Sequence, residues 1–207
     1  MITKAEQHAP LIQPSMKVRG RLTSIMHALA HWAMLDAGDK VLDMACADGQ
    51  LLGLLGRRAE VELCGIAPTV EQSRAIRQAL PSADVLYAKP EDIPWRASSF
   101  DVVMCGMPFY AMGDPGKVLK EALRVLKPGG QFLMAAAWYP APLRQLVNCF
   151  SLHWEDTQQP PVICGKHEML ATLEAMGFEK VSWRAADVRV GVTIGWKRTA
   201  WQESLEA

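Results

Sequence analysis

The string Val41-Leu42-Asp43-Met44-Ala45-Cys46-Ala47-Asp48-Gly49 sets one carboxylate between an apolar run and a turn of small residues. Small side chains in such a turn let backbone come close to a ligand. Asp43, at the start of the turn, can neutralise an ammonium group; its other reading is structural, a cap on the turn that follows. Asp48 stands where it would cap a helix opening at Gly49, with a ligand contact as its minor reading. Further along, Gly106-Met107-Pro108-Phe109-Tyr110 follows a second apolar run. Tyr110 has the chemistry to position or deprotonate an acceptor, and an aromatic there can equally be a packing residue. No strong general base stands beside it. Cys149, His153, Cys164 and His167 have Cys-x3-His and Cys-x2-His spacings that metal ligands use. They do not form a standard finger, so packing cysteines and surface histidines are the preferred reading and no metal is expected.

The elements that must position these groups alternate in type. Residues 1–15 are polar and interrupted by Pro10 and Pro14, a loose arm. Apolar residues then recur at helical spacing from Met16 to Leu35, ending near Gly38 as a C-cap. Strands are expected at Lys40 to Cys46, Val61 to Ala67, Ala83 to Ala88, Phe100 to Gly106 and Gln131 to Trp138. Helices are expected from Gly49 to Arg57, from Thr69 (with Gln72 placed for a capping box) to Pro81, and from Asp114 to Leu126, the last stopped by Lys127-Pro128-Gly129-Gly130. Strand–helix alternation with short loops predicts a parallel sheet covered on both faces, with ligands beyond the carboxyl ends of its strands. Residues 139–165 form an insert, with a helix expected at Leu143 to His153. Its aromatics and their neighbours (Trp138, Tyr139, Phe150, Trp154) read as a lid over an apolar substrate or as a local cluster. A helix from Lys166 to Met176 capped by Gly177, then strands Val181 to Val190 and Val192 to Lys197 joined at Gly191, complete one domain, residues 1–207.

Three segments in this order, VLDMACADG (41–49), FDVVMCG (100–106) and EALRVLKPGGQFLM (121–134), resemble the class I S-adenosylmethionine (SAM)-dependent methyltransferases. Within that class they are similar to the small-molecule enzymes related to the ubiquinone and menaquinone C-methyltransferases, the type 11 methyltransferase domain. The likeness covers roughly residues 20–138. It implies a Rossmann-like α/β fold, a mostly parallel seven-stranded sheet with helices on both faces and an antiparallel terminal strand. It implies SAM as cofactor and a small, apolar or aromatic methyl acceptor. By the family's pattern the cofactor-binding positions are Asp43, Ala45, Cys46, Ala47 and Gly49 in the first turn, Ala67 after the second strand and Gly106 after the fourth. Glu71 in the helix after the second strand, and Glu91 and Asp92 after the third strand, are nearby candidates for replacement contacts. Tyr110 is the candidate catalytic residue.

The chain departs from the pattern at identifiable points. Ala45 and Ala47 replace glycines. Ala67 stands where the family's ribose-binding acid should be, Lys89 where an acid precedes the adenine contact, and Pro90 has no N–H to offer adenine. A catalytically inactive relative that binds a partner or another small ligand is therefore the competing reading. A nicotinamide-dependent oxidoreductase is disfavoured, because Ala45-Cys46-Ala47-Asp48-Gly49 is not G-x-G-x-x-G. Lys plus Arg and Asp plus Glu number 22 each, so attraction to nucleic acid is not an expectation. No stretch suits a secretory signal or a bilayer span. Cys46, Cys64 and Cys105 lie in or beside apolar runs, the usage of reduced cytoplasmic thiols. Oligomeric state is left open.

Overall fold

The computed structural model describes residues 16–106, 113–137, 166–186 and 190–199. In chain order the elements are α1 (Met16–Trp32), β1 (Lys40–Asp43), α2 (Gln50–Gly56), β2 (Glu62–Ala67), α3 (Val70–Ala79), β3 (Asp84–Tyr87) and β4 (Phe100–Cys105). They continue with α4 (Pro115–Val125), β5 (Leu126–Ala137), α5 (Lys166–Ala175), β6 (Phe178–Ala185) and β7 (Val190–Lys197). The seven strands lie in the order β3-β2-β1-β4-β5-β7-β6. Strands β1 to β5 pair in parallel, and β7 runs antiparallel between β5 and β6. The chain moves outward from β1 to β3 and returns on the other side of β1, so the order reverses between β1 and β4.

The apolar runs are continuous because both faces of the sheet are covered. Val41, Leu63, Val85 and Val102 join one core with Leu29 of α1, Leu52 of α2 and Ile76 of α3. Leu42, Cys64, Val103 and Phe132 join the other with Leu119 of α4 and Leu173 of α5. Each such aliphatic side chain contributes about 1.5–3 kcal/mol by leaving water. The helix starts follow side-chain chemistry. Thr69 accepts from the Gln72 N–H at 3.1 Å, and Asp114 accepts from the Lys117 N–H at 3.1 Å, with Pro115 at the first helical position. Cys46, Cys64 and Cys105 are buried free thiols.

Three expectations are corrected. Helix α1 ends at Trp32 and not near Gly38, because the buried amide of Gln131 takes over its C-terminal groups. Gln131 Oε1 accepts from the Met34 N–H at 2.9 Å, and Nε2 donates to the Trp32 carbonyl at 3.4 Å. Gly38 instead serves the turn before β1, donating its N–H to the Glu60 carbonyl at 2.7 Å.

The Lys127–Gly130 segment is a bulge inside β5, not a break before it. Leu126 pairs with Phe100 and Gln131 with Val102, leaving the intervening residues looped out opposite Asp101. Lys127 Nζ closes that loop on the Asp101 carboxylate at 2.7 Å.

Gly191 is not the turn of the terminal hairpin; it lies within β7, opposite Ala185 and Ala136. A side chain there would overlap the Trp183 indole, so the missing Cβ is what lets that ring lie across the strand. The helix expected at 143–153 lies outside the described residues.

Replacing Gly191 with Ala should force Trp183 off β7 and destabilise the protein by about 1–3 kcal/mol, the usual cost of overpacking. Chemical denaturation measures this, and the cost should shrink when the same change is made in a Trp183→Leu background.

Candidate functional site

Strand order reverses between β1 and β4, and in open α/β sheets ligands bind in the crevice beyond the carboxyl ends of the strands at such a point. Asp43, last residue of β1, lies between Gly65 of β2 and Met104 of β4. The turn after it is stitched to both neighbours. The Met44 N–H donates to the Met104 carbonyl at 2.8 Å and the Cys46 N–H to the Ile66 carbonyl at 3.0 Å. Ala45 is half-buried and Ala47 exposed, so the small side chains of the turn rim the crevice. Gly49 precedes α2 with φ +77°, a left-handed conformation that disfavours other residues. A Cβ there would also approach Ile76 to 2.8 Å. Asp48 Oδ1 accepts from the Gln50 N–H at 3.0 Å, which is the helix-capping role expected of it.

Asp43 is 2% exposed. Its Oδ1 accepts from the Ala45 N–H at 3.0 Å, so it caps the turn as well as facing the crevice. Burial pushes its carboxyl up to about 6; the Ala45 N–H draws it back, the Asp48 charge raises it, and the Cys46 thiol lowers it. Among the described residues no lysine, arginine or histidine forms an ion pair with it.

The neighbouring strand ends differ in kind. Ala67 is fully buried at the end of β2, and its carbonyl accepts from the Ala88 N–H at 3.3 Å. Lys89 to Asp92 form a turn closed by the Asp92 N–H on the Lys89 carbonyl at 3.0 Å. The Glu91 carboxylate lies against Gly113, where a Cβ would come within 2.9 Å of it. The field of Asp92 acts on Arg124 of α4. Sequence reading did not anticipate the clamp that holds this turn. Glu121 accepts from the Ile93 N–H at 2.8 Å, and Arg124 donates to the Ile93 and Trp95 carbonyls at 2.8 Å each while pairing with Glu121 at 2.7 Å. The i, i+3 opposite charges within EALR were its available signal. Gly106, after β4, lies under α1, where a Cβ would meet Met26 at 3.4 Å and Leu29 at 3.5 Å. Helix α1 thus covers the end of β4. Tyr110, Trp138 and the insert with its aromatics, Cys149, His153 and Cys164, lie outside the described residues.

Among the described residues no group of three or more His, Cys, Asp or Glu side chains could hold a metal ion. No described helix is long and apolar enough to cross a membrane.

Residues 42–134 match the family model described as a methyltransferase domain. The chain is 30% identical over 191 residues to 2-methyl-6-phytyl-1,4-hydroquinone methyltransferase of Synechocystis sp., covering 86% of this chain and 59% of that one. It is also 30% identical over 118 residues to 27-O-demethylrifamycin SV methyltransferase of Amycolatopsis mediterranei, covering 54% of this chain and 43% of that one. The chain therefore spans about half the length of these relatives. In fold it resembles the Haloferax volcanii methyltransferase solved with its Trm112 activator, with a TM-score of 0.73, 19% identity, and coverage of 88% of this chain and 92% of that one.

The raised carboxyl of Asp43 makes folding stability depend on pH. The folded protein keeps this proton up to about pH 6, whereas the unfolded chain releases it near 3.8. The stabilising difference is complete below the unfolded value and is lost as pH rises through about 6. The ionised group then costs at most about 3 kcal/mol. Asp43→Asn keeps an acceptor for the Ala45 N–H and carries no charge. Its melting temperature should exceed the parent's above pH 6, and the margin should close toward pH 4.

Proposed function

We propose that the chain, whose residues 42–134 match a methyltransferase domain model on a Rossmann-like sheet, is a SAM-dependent methyltransferase acting on a small, apolar or aromatic acceptor. The observation that carries this reading is the buried carboxylate of Asp43, which pairs with no cation among the described residues, at the point where strand order reverses. It fits the ammonium of a methionine-derived cofactor, and the small-residue turn Ala45 to Ala47 leaves room for that chain against the backbone. SAM, when bound, supplies a methyl group activated on a sulfonium. The protein's part is to bind, align and keep dry. Asp43 would take the ammonium, the turn would form one wall, and Met26 and Leu29 over Gly106 would exclude water from the β4 end. Alignment in such a pocket supplies a large share of the rate in displacement chemistry. An acceptor that is already nucleophilic, of the hydroquinone kind named for the Synechocystis relative, needs no strong base beside it. Tyr110 is the candidate to position that acceptor. Three buried free thiols favour a reducing, cytoplasmic setting.

The nucleoside half of the crevice fits less well and favours a second reading, a relative that has lost the cofactor. Ala67 offers no acceptor to the ribose hydroxyls, Lys89 reverses a charge, and Pro90 has no N–H. Each missing charge-assisted bond is worth about 1.5–3 kcal/mol.

Isothermal calorimetry with S-adenosylhomocysteine separates the two. Catalysis requires binding, expected here at micromolar dissociation constants, on the order of −8 kcal/mol. Absence of heat and of competition at millimolar ligand would overturn the enzymatic reading. Ala67→Asp should tighten binding about tenfold or more by restoring the ribose contact. If the unmodified chain binds nothing and Ala67→Asp creates binding, the second reading stands.

A further inference from the structure

We propose that His27 and His31 of α1 form a chelating site for a divalent transition metal of the nickel or zinc class. The site lies on the exposed flank of the helix, and the inference stands independently of the cofactor reading above.

The pattern starts in the sequence. Ser24, His27, Ala28 and His31 recur at steps of three and four, so they share one stripe of α1. Ile25, Met26, Leu29 and Ala33 are buried in the core, while both histidines are exposed. Side chains four apart on a helix have Cβ atoms about 5–6 Å from each other. An ion bonded to two imidazole nitrogens at about 2.0–2.1 Å each can bridge that gap, which is why His-x3-His recurs in zinc sites. The two histidines line one cavity of about 470 Å³. Its far wall is Ala185 and Ala186, at and just beyond the end of β6, whose small side chains leave room for a hydrated ion.

One of the two donors is held as well as spaced. The His31 ring stands edge-on to Trp32, with centroids 5.0 Å apart and planes at 84°. Trp32 packs against the core and carries the Arg184 guanidinium of β6 over its ring at 5.7 Å. A donor fixed by its neighbours loses less freedom on binding an ion. The lining also sets the choice of ion. None of the described residues around the cavity is a carboxylate. Two imidazoles, with water completing the shell, suit nickel, copper or zinc, whereas calcium and magnesium require oxygen ligands. An ion held there would tie together the last two turns of α1, the helix whose buried face covers Gly106.

Calorimetry on the metal-free full chain with nickel, zinc and magnesium chlorides tests the site. Nickel and zinc should bind with dissociation constants on the order of 1–100 μM, and magnesium should not bind at these concentrations. His27→Ala and His31→Ala should each weaken nickel binding about tenfold or more, because a chelate needs both arms, and the double variant should be little weaker than either single one. Both positions are exposed, so stability without metal should be unchanged. Losses of only about twofold per variant, adding up in the double variant, would mean independent surface imidazoles and overturn the proposal. His153, His167, Cys149 and Cys164 are rival donors in the chain. Cobalt separates them, since thiolate ligands give an intense near-ultraviolet charge-transfer band that imidazoles lack. A cobalt complex without that band, lost in both single variants, supports the histidine pair. Unchanged nickel affinity in both single variants, or no binding by the parent at millimolar metal, overturns it.

Discussion

A carboxylate held out of water, with no cation paired to it among the described residues, is the constraint around which the end of β1 is organised. Asp43 closes a strand covered on both faces, so its side chain is almost wholly withdrawn from solvent. An isolated buried charge is costly, and the Ala45 N–H meets that cost only in part. The remaining electrostatic demand is what a ligand's ammonium would satisfy.

The opposite end of the same strands is held quite differently. There Asp101 at the start of β4 accepts from the Lys40 N–H of β1 at 2.9 Å and from the Lys127 ammonium at 2.7 Å. One carboxylate thereby joins β1, β4 and the bulge of β5. The Glu121–Arg124 clamp plays a similar part for the segment leading into β4. These groups are partly exposed, so their ion pairs contribute modestly, but they satisfy backbone donors and acceptors that would otherwise be left in irregular loops.

Much of the architecture was legible because it rests on local chemistry. Continuous apolar runs such as Val41-Leu42 and Val102-Val103 announce doubly covered strands, and Thr69 and Asp114 announce helix starts. The parts that were not legible depend on partners far away in the chain. The end of α1 is set by an amide at Gln131, the looped course of Lys127 to Gly130 by Asp101, and the placing of Gly191 by the Trp183 ring. The site divides in the same way. Asp43 and its turn could be read from order and residue type alone. The α1 cover over Gly106, the seat for Cys46 against Gly65, and the contacts of Glu91 and Asp92 with the α4 side arise only on folding.

The two strings that make the chain most recognisable, FDVV and LKPGG, meet in the Asp101–Lys127 contact, at the far pole from the crevice. Shape and chemistry are thus written at opposite poles of the same strands. The Ala67 side chain, at the other pole, takes part in no polar bond of the scaffold. A lineage built this way can trade one small molecule for another, or abandon catalysis, while its outline stays the same.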